Sequence, residues 1–260
     1  MSLPALKLTL RLRALTTLLS AFGLVVVILM VGALFPAVGH SIGKLNLPKG
    51  VATVLGGADY GTLRGWMRSE IASIYGPLVV AYAGVSVATG STAGEEEAGI
   101  LALTLAHPIE RTRLVLAKGA AVAISVALVA IAALVGLVVG VAVGGGGIPF
   151  ANIAAVALNL AFFGWAAGAL ALALAASTGR RALSSAGAAA VALLGFLING
   201  FAPLVHAVQW LKYTSLFYYY EGHDPITHGV DWGDLAVLGA AALAFTALAV
   251  LGLRDRDLRK

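Results

Sequence analysis

The sequence predicts an all-α integral membrane protein with six transmembrane helices in a single domain over residues 1–260. The mean hydropathy is +0.95, and charged residues make up only 11% of the chain, against about 25% in soluble domains. The apolar residues fall into six runs, each long enough for the roughly 20 residues that a spanning helix needs. Because the chain has no cysteine, disulfides and Cys-based metal sites are excluded.

A basic segment precedes the first apolar run. Residues 3–14 alternate apolar and basic side chains, and Lys7 and Arg11 share one helical face. This pattern predicts an N-terminal amphipathic interfacial helix along the cytoplasmic leaflet. Residues 15–35 carry no charge and form the first span, which exceeds the roughly 7–15 residues of a signal-peptide core and is therefore a retained anchor.

A mixed segment separates the first two spans. Residues 36–70 have the charges and glycines of an extracytoplasmic loop, with an interfacial helix expected near residues 60–71. The second span is predicted at residues 71–92. It contains Pro77, which removes one backbone donor and loosens the helix.

Residues 94–118 carry charge that a membrane core does not accept. Glu95, Glu96 and Glu97 would each cost roughly 2.5–3.5 kcal/mol at the centre of a span, so we expect the triplet to be solvated. Apolar side chains follow at i, i+3, i+4 and i+7 over residues 98–105, which predicts a short helix that ends before Pro108. The next helix begins with basic residues, so the bend between the two helices faces the cytoplasm.

The remaining spans are predicted at residues 114–143, 151–177, 182–206 and 235–253. Glycines recur four residues apart in two of them, at Gly136, Gly140 and Gly144 and at Gly164 and Gly168. Such spacing lets helices approach closely, but it also arises by chance in a chain with 32 glycines. The GGGGIP turn at residues 144–149 lacks the Lys-Ser/Thr that a phosphate-binding loop requires and is predicted to be a tight extracytoplasmic hairpin.

An aromatic segment precedes the last span. Residues 207–232 combine tyrosines and tryptophans with short polar runs, which is typical of an interfacial or re-entrant segment on the outer surface. His223, Asp224 and His228 offer metal-ligand chemistry, but a solvated loop explains their irregular spacing better. The predicted outer gate consists of Trp210, Phe217, Tyr218, Tyr219 and Tyr220.

The distribution of basic residues sets the orientation. Twelve of the 17 lysines and arginines lie on one side of the six-span layout: three before the first span, three after the acidic triplet, two near Arg180 and four in the C-terminal tail. Because positive charge marks the cytoplasmic side, both termini are predicted to be cytoplasmic in a multi-pass protein of the cell membrane. Membrane orientation also accounts for the net charge of +5 without nucleic acid as a partner.

The charged segment resembles the cytoplasmic coupling loop of permease subunits in type-2 ATP-binding cassette exporters. The matching residues are Glu95, Glu96, Glu97, Gly99, Leu101, Leu105, Pro108, Arg111, Leu114, Leu116, Lys118 and Gly119. The resemblance implies a coupling helix that contacts a separate ATPase subunit. The residues expected at this contact are Glu95, Glu96, Glu97, Gly99, Leu101, Leu105, Pro108, Arg111 and Arg113. The resemblance also implies a homodimer that is not itself an enzyme and holds no cofactor, since ATP and Mg²⁺ bind the ATPase.

Two functional alternatives remain beside the exporter. A membrane scaffold or regulator could recruit a cytoplasmic partner through the same loop, whereas a secondary transporter is disfavoured because the spans lack ionisable residues suited to ion coupling. For an exporter, the apolar and aromatic character of the candidate lining suits a hydrophobic or amphipathic substrate. This candidate lining consists of Tyr75, Tyr82, Phe162, Phe163, Phe196 and Asn199.

Overall fold

The computed structural model describes residues 2–39, 41, 60–101 and 110–254. Within these ranges the chain forms helices and no strand, and six helical stretches are long and apolar enough to cross a membrane. The predicted all-α, six-span class is confirmed.

The first two spans contain departures from regular α-helix. The first is α1 (Leu3–Leu34), which ends in a π-helical turn (Phe35–Gly39). The second combines four segments in sequence: α2 (Leu63–Met67), a π-helix (Arg68–Tyr75), α3 (Gly76–Ser91) and α4 (Ala93–Glu97). The π-helix ends two residues before Pro77, where the missing backbone donor was expected to loosen the span.

The other four spans lie within a few residues of their predicted positions, apart from the end of the fifth. They are α5 (Arg111–Val143), α6 (Phe150–Thr178), α7 (Arg181–Phe201) and the last helix, α10 (Trp232–Arg254). Before α10 come two 3₁₀ stretches (Ala202–Leu204 and His206–Thr214), then α8 (Leu216–Glu221) and α9 (Pro225–His228). The turn between α5 and α6 carries three successive glycines at φ +113°, +76° and +92°, which side chains rarely adopt.

The N-terminal residues correct one prediction. Residues 3–14 do not form a separate interfacial helix, because α1 runs unbroken for 32 residues. At 1.5 Å per residue it is about 48 Å long, which exceeds the roughly 30 Å of bilayer hydrocarbon. Its first turns pack on the bundle: Leu6 is buried with Ala117 and Ala121 of α5. One face of this segment thus packs on the bundle, while Leu3, Leu8 and Leu12 on other faces stay exposed.

Residues 60–71 correct a second prediction. They were expected at the interface, but α2 and the π-helix begin the second span and pack into the bundle, where Met67 and Ile71 are fully buried. The Trp66 indole donates a 3.0 Å hydrogen bond to the Val31 carbonyl oxygen of α1. The sequence did not indicate that the span begins here, because Arg64 and Glu70 interrupt the run of apolar residues.

The helices pack around α6. This helix contacts α3, α5, α7 and α10 and is the most buried of the six spans, whereas α7 is the least buried. α7 contacts α6 and, less extensively, α3.

Both glycine series lie at helix crossings within the chain. A Cβ atom on Gly32 of α1 would lie 2.3 Å from the Gly140 carbonyl oxygen of α5, and one on Gly84 of α3 would lie 2.6 Å from that of Gly164 on α6. These distances are far below van der Waals contact, so only glycine fits. The glycines spaced four residues apart therefore allow close contacts between helices of the same chain.

The bundle has two chemically different ends. At what we call the basic end, Arg13 of α1 bonds to the Gly90 carbonyl oxygen of α3, and Arg111 of α5 bonds to that of Leu253 in α10. At the opposite, aromatic end, α8 and α9 cover the π-helix of the second span and the start of α6. The beginning of α1 and the end of α10 thus lie at the same end of the bundle.

Candidate functional site

A buried ion pair lies at the basic end. Glu95 of α4 and Lys118 of α5 approach to 2.6 Å between Oε2 and Nζ, with side chains only 10% and 3% exposed. Lys118 also donates to the Ser91 carbonyl oxygen at the end of α3. A single ammonium group thus ties the bend after α3 to the beginning of α5.

The acidic triplet is not uniformly solvated, which corrects the expectation for it. Glu95 and Glu96 are each 8% exposed, and only Glu97 faces outward. The Glu97 carboxylate accepts a 2.8 Å hydrogen bond from the backbone N–H of Arg181, the first residue of α7. Glu95 can be buried because Lys118 supplies the compensating charge.

The coupling segment is described up to Leu101. Gly99 has φ +73°, a left-handed conformation that suits glycine after the short α4 helix. Leu101 is fully buried, so the apolar face predicted from the sequence begins by packing against protein. Leu105 and Pro108 lie outside the described residues.

Two predicted basic residues begin α5. Arg111 donates a 3.0 Å hydrogen bond to the Leu253 carbonyl oxygen, near the negative end of the α10 dipole. Arg113 forms a 2.8 Å ion pair with Glu110, with both side chains mostly exposed. Of these two, Arg113 is the one that faces away from the bundle.

A groove of about 630 Å³ opens between α3 and α7. Most of its wall is apolar, and Tyr82 and Phe196 from the predicted lining lie on it. Apart from Ser73, the serine, threonine and arginine groups on its wall lie toward the basic end. There the Ser185 hydroxyl donates a 3.1 Å hydrogen bond to that of Thr89, beside Arg181. The groove extends along the second span from Ser73 in the π-helix to Thr89 in α3, which is about 24 Å at 1.5 Å per residue.

The other predicted lining residues lie away from the groove wall. Phe163 is 1% exposed and packs in the main core, with its ring 4.6 Å from that of Phe217. Phe162 packs beside Trp165 and against Gly239 of α10, while Tyr75 packs against the main core. Asn199 is half-buried near the end of α7 and is not on the groove wall.

The predicted outer gate divides into exposed and buried members. Trp210 is 60% exposed, whereas Phe217 and Tyr220 are buried, and Phe217 closes the aromatic end of the groove. The Tyr220 hydroxyl donates a 2.5 Å hydrogen bond to the Ala72 carbonyl oxygen. Tyr218 and Tyr219 are half-buried and lie around Tyr213. The Tyr218 ring packs on the Tyr213 ring, and the Tyr219 hydroxyl donates a hydrogen bond to the Tyr213 carbonyl oxygen.

A polar cluster fastens this aromatic segment to the second span. The Ser73 hydroxyl donates to the Glu221 carboxylate, and Arg68 forms a 2.9 Å ion pair with Asp224. Burial raises the pKa of Glu221, although the Ser73 hydrogen bond and the charge of Arg68 oppose that rise. Burial likewise raises the pKa of Tyr220 well above its usual value. A buried acid and a partly buried ion pair thus hold α8 and α9 in place.

Comparison with known proteins bears on this arrangement of six helices. The family model described as the C-terminal domain of the multidrug efflux system permease Rv1217c matches residues 4–254. The chain belongs to this permease family. The match extends from the first turn of α1 to the end of α10, so the predicted permease assignment is confirmed. No curated protein matches the permease significantly in sequence.

Sequence reasoning missed several residues that shape the permease. Ser73 and Glu221 are 148 positions apart, and Thr89 and Ser185 are 96 apart, so no local pattern joins them. Lys118 was recognised only as part of the coupling motif and not as the partner of Glu95. The available signal was its position: a lysine one turn inside an apolar run requires a partner or a route to water.

Proposed function

We propose that this permease is the membrane subunit of an ATP-binding cassette exporter, which moves a hydrophobic or amphipathic substrate outward. A separate cytoplasmic ATPase would supply the energy and bind ATP and Mg²⁺, so the permease itself would catalyse no reaction. Two copies of the chain would form the working unit. The multidrug efflux function named for the matched family supports an exporter of small molecules.

One observation carries the coupling mechanism. α4 continues the second span beyond α3, and its Glu97 binds the first backbone N–H of α7. The segment after the acidic triplet is therefore attached to both helices that line the groove. A push on this segment would move α3 relative to α7, and the Glu95–Lys118 ion pair would carry the same motion to α5. Alternating access then follows as a change between two packed arrangements.

The groove supports an amphipathic substrate. Its volume of about 630 Å³ falls in the range of small-molecule sites, roughly 300–1,000 Å³. An apolar body would lie along Leu78, Tyr82 and Phe196, with a polar group beside Arg181 and the Thr89 and Ser185 hydroxyls. Phe217 and Tyr220 would form part of the outer gate, since Phe217 closes the aromatic end of the groove.

We expect an ATPase to copurify with the full chain from its native membranes, because Glu97 and Arg113 are exposed at the basic end. Glu97→Lys is expected to lower the recovered ATPase at least tenfold, since like charges across an interface cost several kcal/mol and about 1.4 kcal/mol is tenfold in affinity. Quantitative mass spectrometry of the purified complex measures this.

Lys212→Glu, a charge reversal at the opposite end of the bundle, is the matched control and should recover ATPase normally. Absence of any ATPase from the wild-type preparation would contradict the exporter. An ATPase that binds without any transport by the complex would favour the scaffold alternative.

The proposed orientation places the basic end in the cytoplasm of a cell-membrane protein. In this cysteine-free chain, Ala207→Cys on the exposed 3₁₀ stretch should react with an impermeant thiol reagent added to intact cells. Ala98→Cys, exposed at the basic end, should react only after the membrane is permeabilised. Labelling of Ala98→Cys in intact cells would reverse the orientation.

A further inference from the structure

Three potential metal ligands meet at the aromatic end of the bundle, outside the groove. One ligand atom each from His223, Asp231 and Asp234 lies within 4.8 Å of the others. His223 belongs to the turn between α8 and α9, while Asp231 and Asp234 lie at the start of α10. The cluster therefore lies between the turn after α8 and the start of α10, two helices that also contact each other.

One pair in this cluster has the separation expected of metal ligands. His223 Nδ1 and Asp231 Oδ2 are 3.3 Å apart, which is longer than the usual 2.9 Å hydrogen bond. Two ligands at about 2.0–2.1 Å from a tetrahedral ion lie about 3.4 Å apart. We propose that His223, Asp231 and Asp234 bind one divalent transition-metal ion, with Zn²⁺ the ion that best suits one imidazole and two carboxylates.

Hydrogen bonds and an ion pair hold the backbone around these residues in place without a bound ion, as a metal site requires. Asp231 caps α10: its Oδ1 accepts a 2.9 Å hydrogen bond from the Asp234 N–H, which leaves Oδ2 directed to His223. Asp224, next to His223, is held by its ion pair with Arg68 and by a 2.8 Å bond from its N–H to the Glu221 carbonyl oxygen.

The structure also decides between possible ligand sets. Asp224 was the carboxylate grouped with the two histidines in the sequence, but its pairing with Arg68 makes it unsuitable as a ligand. His228 directs Nδ1 to the His223 carbonyl oxygen at 3.1 Å and lies outside the cluster. The site thus has three protein ligands and leaves the remaining coordination to water.

A bound ion would tie the turn after α8 to the last span. Hydrogen bonds of Ser73 and Tyr220 already join α8 to the second span. The ion would therefore link the second span, α8 and α10 at the aromatic end. The site itself does not depend on the proposed transport function, and its occupancy is measurable on the permease alone.

Zn²⁺ binding to the tag-free full chain in detergent tests the proposal by isothermal titration calorimetry. We expect one Zn²⁺ per chain, with affinity lowered at least tenfold in both His223→Ala and Asp231→Asn. The His223 side chain is 62% exposed, so its removal leaves the fold intact, and asparagine caps a helix as well as aspartate does. Thermal unfolding should therefore match the wild type in the absence of metal.

His206→Ala is the matched control, because His206 is exposed at the same end of the bundle but outside the cluster. It should bind Zn²⁺ like the wild type, and Ca²⁺, which prefers six to eight oxygen ligands, should not displace Zn²⁺. Wild-type affinity in His223→Ala and Asp231→Asn would overturn the proposal. Equal competition by Ca²⁺ would overturn it too, since it would indicate only weak attraction to surface carboxylates.

Discussion

Glu95→Ala is expected to destabilise the folded permease by roughly 3–5 kcal/mol, the usual cost of removing one partner of a buried ion pair. The lysine left behind explains the size of the effect. Lys118 is only 3% exposed and its remaining bond is to the Ser91 carbonyl oxygen, so its charge would be buried without a counter-charge. Thermal unfolding in detergent, followed by fluorescence-detected size exclusion, measures the loss.

Two variants separate this explanation from a general sensitivity of the coupling segment. Glu97→Ala removes an exposed carboxylate and one hydrogen bond to α7, so it should cost only about 1 kcal/mol. Glu95→Ala combined with Lys118→Met removes both charges and should recover most of the lost stability. Equal unfolding temperatures for Glu95→Ala and Glu97→Ala would show that the buried pair contributes little.

Gly32→Ala is expected to have the second large effect. Its new methyl group would lie 2.3 Å from the Gly140 carbonyl oxygen and 2.9 Å from the Gly140 Cα, so backbone must move. Overpacking of this kind costs about 1–3 kcal/mol, and here it separates α1 from α5, which form the most extensive helix pair in the bundle. The same unfolding assay applies.

Gly23→Ala on the same helix is the control. Apart from its chain neighbours and the nearby backbone of α1, no atom of the described residues lies within 4 Å of the position that its Cβ would take. The substitution should be neutral or stabilise α1 by up to about 1 kcal/mol, because alanine favours helix more than glycine does. A similar loss of stability in both variants would indicate that helix propensity, and not the crossing with Gly140, determines the outcome.

The parts of the fold that follow from hydropathy could be predicted from the sequence. α5, α6 and α10 begin and end within three residues of the predicted spans, because each contains a long uncharged run bounded by charges or glycines. The second span began too late in the prediction, since Arg64, Arg68 and Glu70 interrupt its hydropathy. Arg68 is nonetheless accommodated by Asp224, which lies 156 positions away.

The groove and the state of the acidic triplet could not be predicted, because both depend on which helices are neighbours. Tyr82 and Phe163 are both aromatic residues in apolar runs, yet Tyr82 is 61% exposed at the groove and Phe163 is buried in the core. Glu95 differs from Glu97 only by lying on the side of α4 that faces Lys118. Local sequence patterns indicate which residues share a helical face, but not what that face meets.

The most direct test of the account is substrate-stimulated ATP hydrolysis and efflux by the complex of permease and ATPase when the groove is filled. Ala189→Trp places an indole on the groove wall, whereas Ala190→Trp places the same side chain on an exposed position of α7 outside the groove. We expect Ala189→Trp to lower efflux and substrate stimulation at least tenfold while the ATPase still copurifies, and Ala190→Trp to behave like the wild type. Undiminished efflux in Ala189→Trp would contradict the assignment of the α3–α7 groove as the substrate path.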